Sequence, residues 1–172
     1  VNSVLDLDDL LELIIDTATR MMEAKASSLL LLDEKTRKLY FKVATGAKRE
    51  EVMQYELDVG EGIAGQVADK GEALLLPDGS TGPRGERRIS EYIGFQTNSI
   101  ACVPMKVGRR VIGVVEIIDK EDGTPIQEED MKTLTVFAEL ASMAISNARK
   151  IAQVRRENRD LREELEHRYQ II

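Results

Sequence analysis

Apolar residues near the start of the chain recur at alternating three- and four-residue steps: Val4, Leu7, Leu11, Ile14, Ala18 and Met21. That period predicts an amphipathic helix over residues 3–23, with Ser3 as its cap and Asp6, three residues on, as a near capping box. Leu10, Leu13 and Met22 widen the stripe beyond what one domain surface needs, so the helix is expected to meet a second subunit as well. The pattern then changes. "SSLLLLD" is an almost continuous apolar run, as in a strand covered on both faces. "KLYFKVATG" follows the short polar connection "EKTR" and reads as its hairpin partner. In "EVMQYELDVG", Tyr55, Leu57 and Val59 alternate with Gln54, Glu56 and Asp58, which predicts a half-exposed strand.

"EGIAGQVADKG" predicts a helix of two or three turns stopped by Gly71, and "EALLLPD" another short strand. The stretch from Asp78 to Thr97 has no clear period beyond a predicted helical turn or two around Arg88 to Ile93. "SIACVPMKV" and "RVIGVVEIID" read as a hairpin about Gly108-Arg109. In the first of these strands Ile100, Cys102 and Pro104 share one face, and Ala101, Val103 and Met105 the other. The last segment predicts one long helix, with Thr124 as cap, Pro125 at the first helical position and Gln127 completing a capping box.

That helix is too long for one domain to cover. Phe137, Leu140, Ala144, Asn147, Ile151, Val154, Asn158, Leu161 and Leu165 follow a 4-3 repeat. With Ile151 at position a, Asn158 also falls at a, where its amide can bond its symmetry mate in a parallel two-stranded coil. Glu157 at g then faces Arg162 at e of the other strand. The expected dimer interface is Leu7, Leu11 and Ile14 from the first helix with these 4-3 residues of the last. The repeat weakens at Arg168, a d position.

Charge and composition narrow the function. A net charge of -7 over 172 residues argues against nucleic-acid binding by this chain. No apolar run approaches the roughly 20 residues that cross a bilayer, and a single cysteine gives no disulfide framework; a cytoplasmic setting is expected. The start at Val1 and the ending "RYQII" read as the edges of a fragment of a longer protein.

One motif invites a chemical reading. "GEGIAG", Gly60 to Gly65, spells the G-x-G-x-x-G of a dinucleotide-binding turn. That turn needs a buried parallel strand before it and a full helix after it. Here the strand is half-exposed and the helix is a stub, so the glycines are expected to be architectural. The amino-terminal amides of the short helix remain an anion-site candidate. Arg84, Arg87 and Arg88, with Tyr92 nearby, suit a carboxylate or phosphate ligand, because a guanidinium pairs with such groups bidentately. Cys102 lies in an apolar strand, a position that suits a small core residue, and is also carried as a ligand-site candidate. Glu116, a charge within "VVEII", either faces a pocket or marks an exposed face.

Taken together, "LLLLDEKTRKLYFKVATG", "GEGIAGQVADKGEALLLPD" and above all "SIACVPMKVGRRVIGVVEIIDK" resemble a GAF domain. The resemblance implies an α+β fold. A central antiparallel sheet of five or six strands carries the N- and C-terminal helices on one face and short helices and loops on the other. Within the family, "GEGIAGQVADKGEALLLPD", "CVPMKVGRRVIGVV" and "ASMAISNAR" are most similar to the amino-terminal sensors of sigma-54-dependent bacterial enhancer-binding activators, the nitrogen-fixation group above all. "ELEHRYQII" resembles the linker ahead of their AAA+ domain. The implied organisation is a sensor domain over 1–148 and a coiled-coil linker over 149–172 toward a downstream AAA+ ATPase.

The resemblance implies a regulatory domain and not an enzyme, acting as a homodimer that answers a small molecule or a regulatory protein; a ligand-free dimerisation module is the alternative. 2-oxoglutarate is the anion it implies as a ligand, with no other cofactor and no metal specified. The cyclic-nucleotide-binding branch carries an Asn-Lys-Phe-Asp-Glu signature, whose positions correspond here to Asp119, Lys120, Ile126, Asp130 and Met131, so only the lysine and the first acid match. A nitric-oxide-sensing relative holds iron through a cysteine, acids and an arginine, roles for which Cys102, Asp78, Glu116 and Arg84 stand as candidates without a spacing motif. The single histidine, His167, sits at an outward c position of the coil, which leaves the domain without a haem ligand.

Overall fold

A computed structural model describes residues 6–77 and 98–171. The elements in chain order are α1 (Leu7–Met21), β1 (Ala24–Asp33), β2 (Lys38–Ala44), α2 (Arg49–Val52), β3 (Glu56–Asp58), α3 (Gly62–Lys70), β4 (Leu74–Leu76), β5 (Ile100–Val107), β6 (Arg110–Lys120) and α4 (Glu128–Ile171). The strands form one six-stranded sheet in the order β3-β2-β1-β6-β5-β4, with every neighbouring pair antiparallel. The α+β class and the antiparallel sheet thus follow the sequence reading, at six strands.

The long strands lie in the middle because they are apolar on both faces. In β1 seven consecutive residues, Ala26 to Leu32, are buried. Leu29 and Leu31 point to a first core shared with Leu11, Ile15 and Ala18 of α1 and Leu134, Phe137, Ala138, Ala141 and Ile145 of α4. Leu30 and Leu32 point to a second core, shared with Leu39 and Phe41 of β2 and Ile63, Ala64 and Val67 of α3. Each fully buried Leu or Ile contributes about 1.5–3 kcal/mol through the hydrophobic effect, so both faces are held by aliphatic packing.

The hairpins are built as their polar residues dictate. In the β1–β2 turn the Asp33 carboxylate accepts the amides of Lys35 and Thr36, and Arg37 N donates to Asp33 O at 2.8 Å. The β5–β6 hairpin closes over Gly108-Arg109, with Val107 paired to Arg110.

Three boundaries differ from the sequence reading. Ser3 lies outside the described residues; Asp6 is the N-cap of α1, contributing its carbonyl to Leu10 N and no side-chain bond. The predicted strand from Glu51 is mostly a helical turn, α2, followed by the three-residue β3. Leu57 alone is fully buried there, with Tyr55 and Val59 packed against the second core. The long helix starts at Glu128, and Thr124 does not cap it. The Asp122 carboxylate takes the Thr124 hydroxyl at 2.6 Å, and Asp130, reaching back to Gln127 N at 2.9 Å, satisfies the helix end instead. The helical turn expected around Arg88 to Ile93 lies outside the described residues.

Candidate functional site

The glycine motif sits where β3 hands over to α3. Gly60 adopts φ +95° and its amide donates to Gly65 O at 2.8 Å. A Cβ on Gly65 would stand 2.6 Å from Asp58 O and 3.0 Å from Gly60 N. The helix start therefore folds back onto the strand end, a contact only glycine allows. The helix also brings its own anion: the Glu61 carboxylate sits at the N-cap and accepts Asp58 N at 3.0 Å. That carboxylate makes no bond to the first amides of α3, but its negative charge lies close to the positive end of the helix dipole and disfavours a second anion there. Gly60 and Gly62, at φ +95° and +67°, and Gly65, by its close approach, each have a backbone reason to be glycine.

The second core face carries the polar groups of interest. Cys102 and Glu116 are direct cross-strand partners in the β5–β6 pair, and Ser28 is the partner of Glu116 across β1–β6. All three are buried, Glu116 to 3% exposure. Their alternation places them on the same face as Leu30, Val114 and Ile100, the face covered by α3. The structure thus answers the open question about Glu116: it faces the interior on the α3 side and brings a carboxylate beside Cys102. Burial of a carboxylate costs several kcal/mol unless it is compensated. Ser28 was not singled out from the sequence; the signal available was a serine inside the apolar run "SSLLLLD".

Asp78, Arg84, Arg87, Arg88 and Tyr92 lie outside the described residues. Among the described residues no group of three His, Cys, Asp or Glu side chains could hold a metal ion.

The residues at the Asn-Lys-Phe-Asp-Glu positions are brought together elsewhere, where β5, β6 and α4 meet. Asp119 is buried, with φ +55°, and its Oδ1 accepts Asn98 N at 2.8 Å and Ser99 N at 2.7 Å. The buried Ser99 hydroxyl accepts Ile126 N at 2.9 Å. Lys120 Nζ pairs with Asp130 Oδ1 at 2.7 Å, both side chains being mostly shielded from water. These groups therefore fasten the start of α4 to the sheet. Met131 only packs against the first core.

For the expected dimer interface, burial sorts the residues into two sets. Leu11 and Phe137 are buried in the subunit's own first core, and Leu7, Ile14 and Ala144 pack against that core. Leu140, Ile151, Val154, Leu161 and Leu165 are exposed, as is Asn158. Spacing alone could not separate the sets, because the core face and the outer face of a helix repeat at the same three- and four-residue steps. From Lys150 to Gln170 every residue of α4 is exposed.

The family profile of the GAF domain matches residues 6–145. The chain belongs to the GAF family. A GAF domain is a regulatory, sensory domain. This one is 28% identical over 174 residues to "Probable 3',5'-cyclic phosphodiesterase pde-5" of Caenorhabditis elegans, covering 96% of the chain and 24% of that protein. It is 35% identical over 100 residues to "Dual 3',5'-cyclic-AMP and -GMP phosphodiesterase 11A" of Takifugu rubripes, covering 57% of the chain and 11% of that protein. The chain thus spans a quarter or less of these relatives. Among solved structures it resembles the GAF domain of an Acinetobacter phosphoenolpyruvate-protein phosphotransferase, with a TM-score of 0.72 and 26% identity, covering 88% of this chain and 89% of that one. No helix among the described residues is long and apolar enough to cross a membrane.

Proposed function

We propose that this GAF domain is the sensor of a longer cytoplasmic signalling protein and works as a parallel homodimer whose paired α4 helices pass its state to an output domain. One observation carries the reading. Past Ile145 the helix continues to Ile171 with Ile151, Val154, Leu161 and Leu165 exposed at 4-3 spacing, and nothing among the described residues covers them. An apolar stripe of that kind needs a second helix, and Asn158 at an a position favours a parallel pair. Sedimentation at micromolar concentration tests it: a dimer is expected, and a monomer overturns it.

The input is a small molecule or a partner protein, with Arg84, Arg87, Arg88 and Tyr92 suited by residue type to an anion such as 2-oxoglutarate, and Cys102 and Glu116 of the α3-side face as further candidates. The output, on the strength of "CVPMKVGRRVIGVV", "ASMAISNAR" and "ELEHRYQII", is the AAA+ domain of a sigma-54-dependent activator of the nitrogen-fixation type; the likeness to phosphodiesterases supports a cyclic-nucleotide-hydrolysing output as the second reading. Calorimetric titration with 2-oxoglutarate and, in parallel, with the 3',5'-cyclic nucleotides tests the input. Heat with one of them and not the other selects between the readings. No heat with either at millimolar concentration, with the dimer intact, selects the ligand-free dimerisation module, which the aliphatic filling of the second core by Leu39, Leu57, Ile63 and Val67 favours.

A further inference from the structure

We infer that the surface on which two copies meet continues from the projecting part of α4 onto the domain itself, along Val136, Leu140, Met143 and Asn147, and that its heptad phase breaks between Asn147 and Ile151. The inference rests on the dimer reading above and deepens it.

An unbroken 4-3 repeat from Phe137 to Leu165 would put Phe137 and Ala144 in the contact. Instead Phe137 is turned into the first core and Ala144 packs against it. The exposed apolar residues on this part of α4 are Val136, Leu140 and Met143, with the exposed Asn147 one step on. Residues 136, 140, 143 and 147 each precede residues 154, 158, 161 and 165 by 18 positions, which is about five turns at 3.6 residues per turn. The two sets therefore lie in line along one side of a straight helix. The whole stripe steps 4-3-4 from Val136 to Asn147, then 4 to Ile151, then 3-4-3-4 to Leu165.

The extra step of four is a stutter, which locally unwinds a left-handed supercoil. Its placement has a cause. Up to Ile145 the helix is packed against β5, β6 and α1 and cannot coil about a partner, whereas beyond that point it can.

The occupant that fits is a second copy. A parallel two-fold axis brings a stripe onto itself, and the flanking charges agree. Glu157 at g faces Arg162 at e of the other copy, an attraction, and Asn158 meets its own mate. Lys150 at g faces Arg155 at e of the other copy, a like-charge pair that loosens the coil where the stutter falls. The molecule thus has two stretches of contact joined by a torsionally soft segment, the place where a rotation of one domain against the other becomes a rotation of the coil.

Single cysteines placed in the full chain test this, with the parent, whose Cys102 is buried, as control. Under mild oxidation M143C, I151C and L161C are expected to give covalent dimers about tenfold or more faster than A144C, because a disulfide closes only when the two Cα atoms come within about 7 Å. A144C linking as fast as M143C overturns the proposed seam in favour of an unbroken heptad. L161C linking without M143C also overturns it, while leaving the dimer reading intact. Absence of any link, with sedimentation as a monomer, overturns both. Thermal melting of each variant confirms that the A144C result reports proximity in a folded chain.

Discussion

Single positions decide whether a pattern in this chain is chemical or architectural. Gly65 is the sharpest case. Its missing Cβ is what lets α3 start against the end of β3, so Gly65→Ala must push apart two backbone segments held by the 2.8 Å bond from Gly60 N to Gly65 O. We expect a loss of about 1–3 kcal/mol, as for other overpacked sites. Gly60 has open space around it and only a positive φ to lose, so Gly60→Ala should cost about 1–2 kcal/mol. Urea unfolding of the two variants checks the order; equal losses would remove the packing argument. Leu11 makes the complementary point. Its place in the three- and four-residue spacing predicts an interface residue, and it is wholly buried in its own subunit. Leu11→Ala should therefore destabilise the chain by about 2–5 kcal/mol, as cavity-forming substitutions do, and a surface-like loss below about 0.5 kcal/mol would contradict that placement.

At the scale of elements, what was legible is what local pattern carries. The double-faced apolar run of β1, the Gly-first turn between β5 and β6 and the Gly71 stop of α3 are each specified within a few residues. What was not legible depends on partners far along the chain. Residues 49–52 turn helical beside α1, with Arg49 held to Glu12 at 3.2 Å, a contact 37 positions distant. Thr124, a good cap by type, fails because Asp122 takes its hydroxyl. Glu116 could be assigned a face only once β6 was known to lie between β1 and β5. The junction at the start of α4 is of the same long-range kind and gives a graded test. Ser99→Ala leaves the buried Ile126 amide without its acceptor, and Asp119→Ala does the same to Asn98 N and Ser99 N; each should cost about 1–3 kcal/mol. Asp119→Asn keeps an oxygen acceptor and tolerates the left-handed backbone, so it should recover most of the loss. Amide exchange at Ile126, faster in Ser99→Ala than in Asp119→Asn, reports the link to the helix directly.

A second element-scale prediction concerns alkali. The bond from Lys42 to Asp8, 2.8 Å long, raises the lysine above its usual 10.5, with burial opposing. A raised base contributes stability that is complete below its unfolded value and is lost as pH climbs through the folded one. Replacing Lys42 by Gln should thus remove a small stabilisation, under about 1 kcal/mol for so exposed a pair, at neutral pH. It should also flatten the loss of stability above pH 10.5. An unchanged alkaline slope would show that the pair does not hold α1 to β2.

For the whole molecule the decisive residue is Asn158. A regulatory dimer must transmit a change of packing without changing partner number or register, and an apolar stripe by itself specifies neither. In the proposed parallel pair Leu161 and Leu165 would supply adhesion, but they would adhere equally in trimers or in slipped registers. A buried asparagine costs stability and in return penalises every arrangement in which its amide lacks a mate. Asn158→Ile should therefore stabilise the assembly while blurring it. The thermal midpoint should rise, by about 2–4 °C for each kcal/mol gained in a chain of this size, and sedimentation should show species beyond the dimer. If the proposed output domain follows the coil, the same substitution should weaken its link to the sensor, since a coil free to settle in several registers no longer reports the angle between two domains. A variant that melts lower than the parent and remains a clean dimer would mean that Asn158 faces water, and that position 158 is outside the contact.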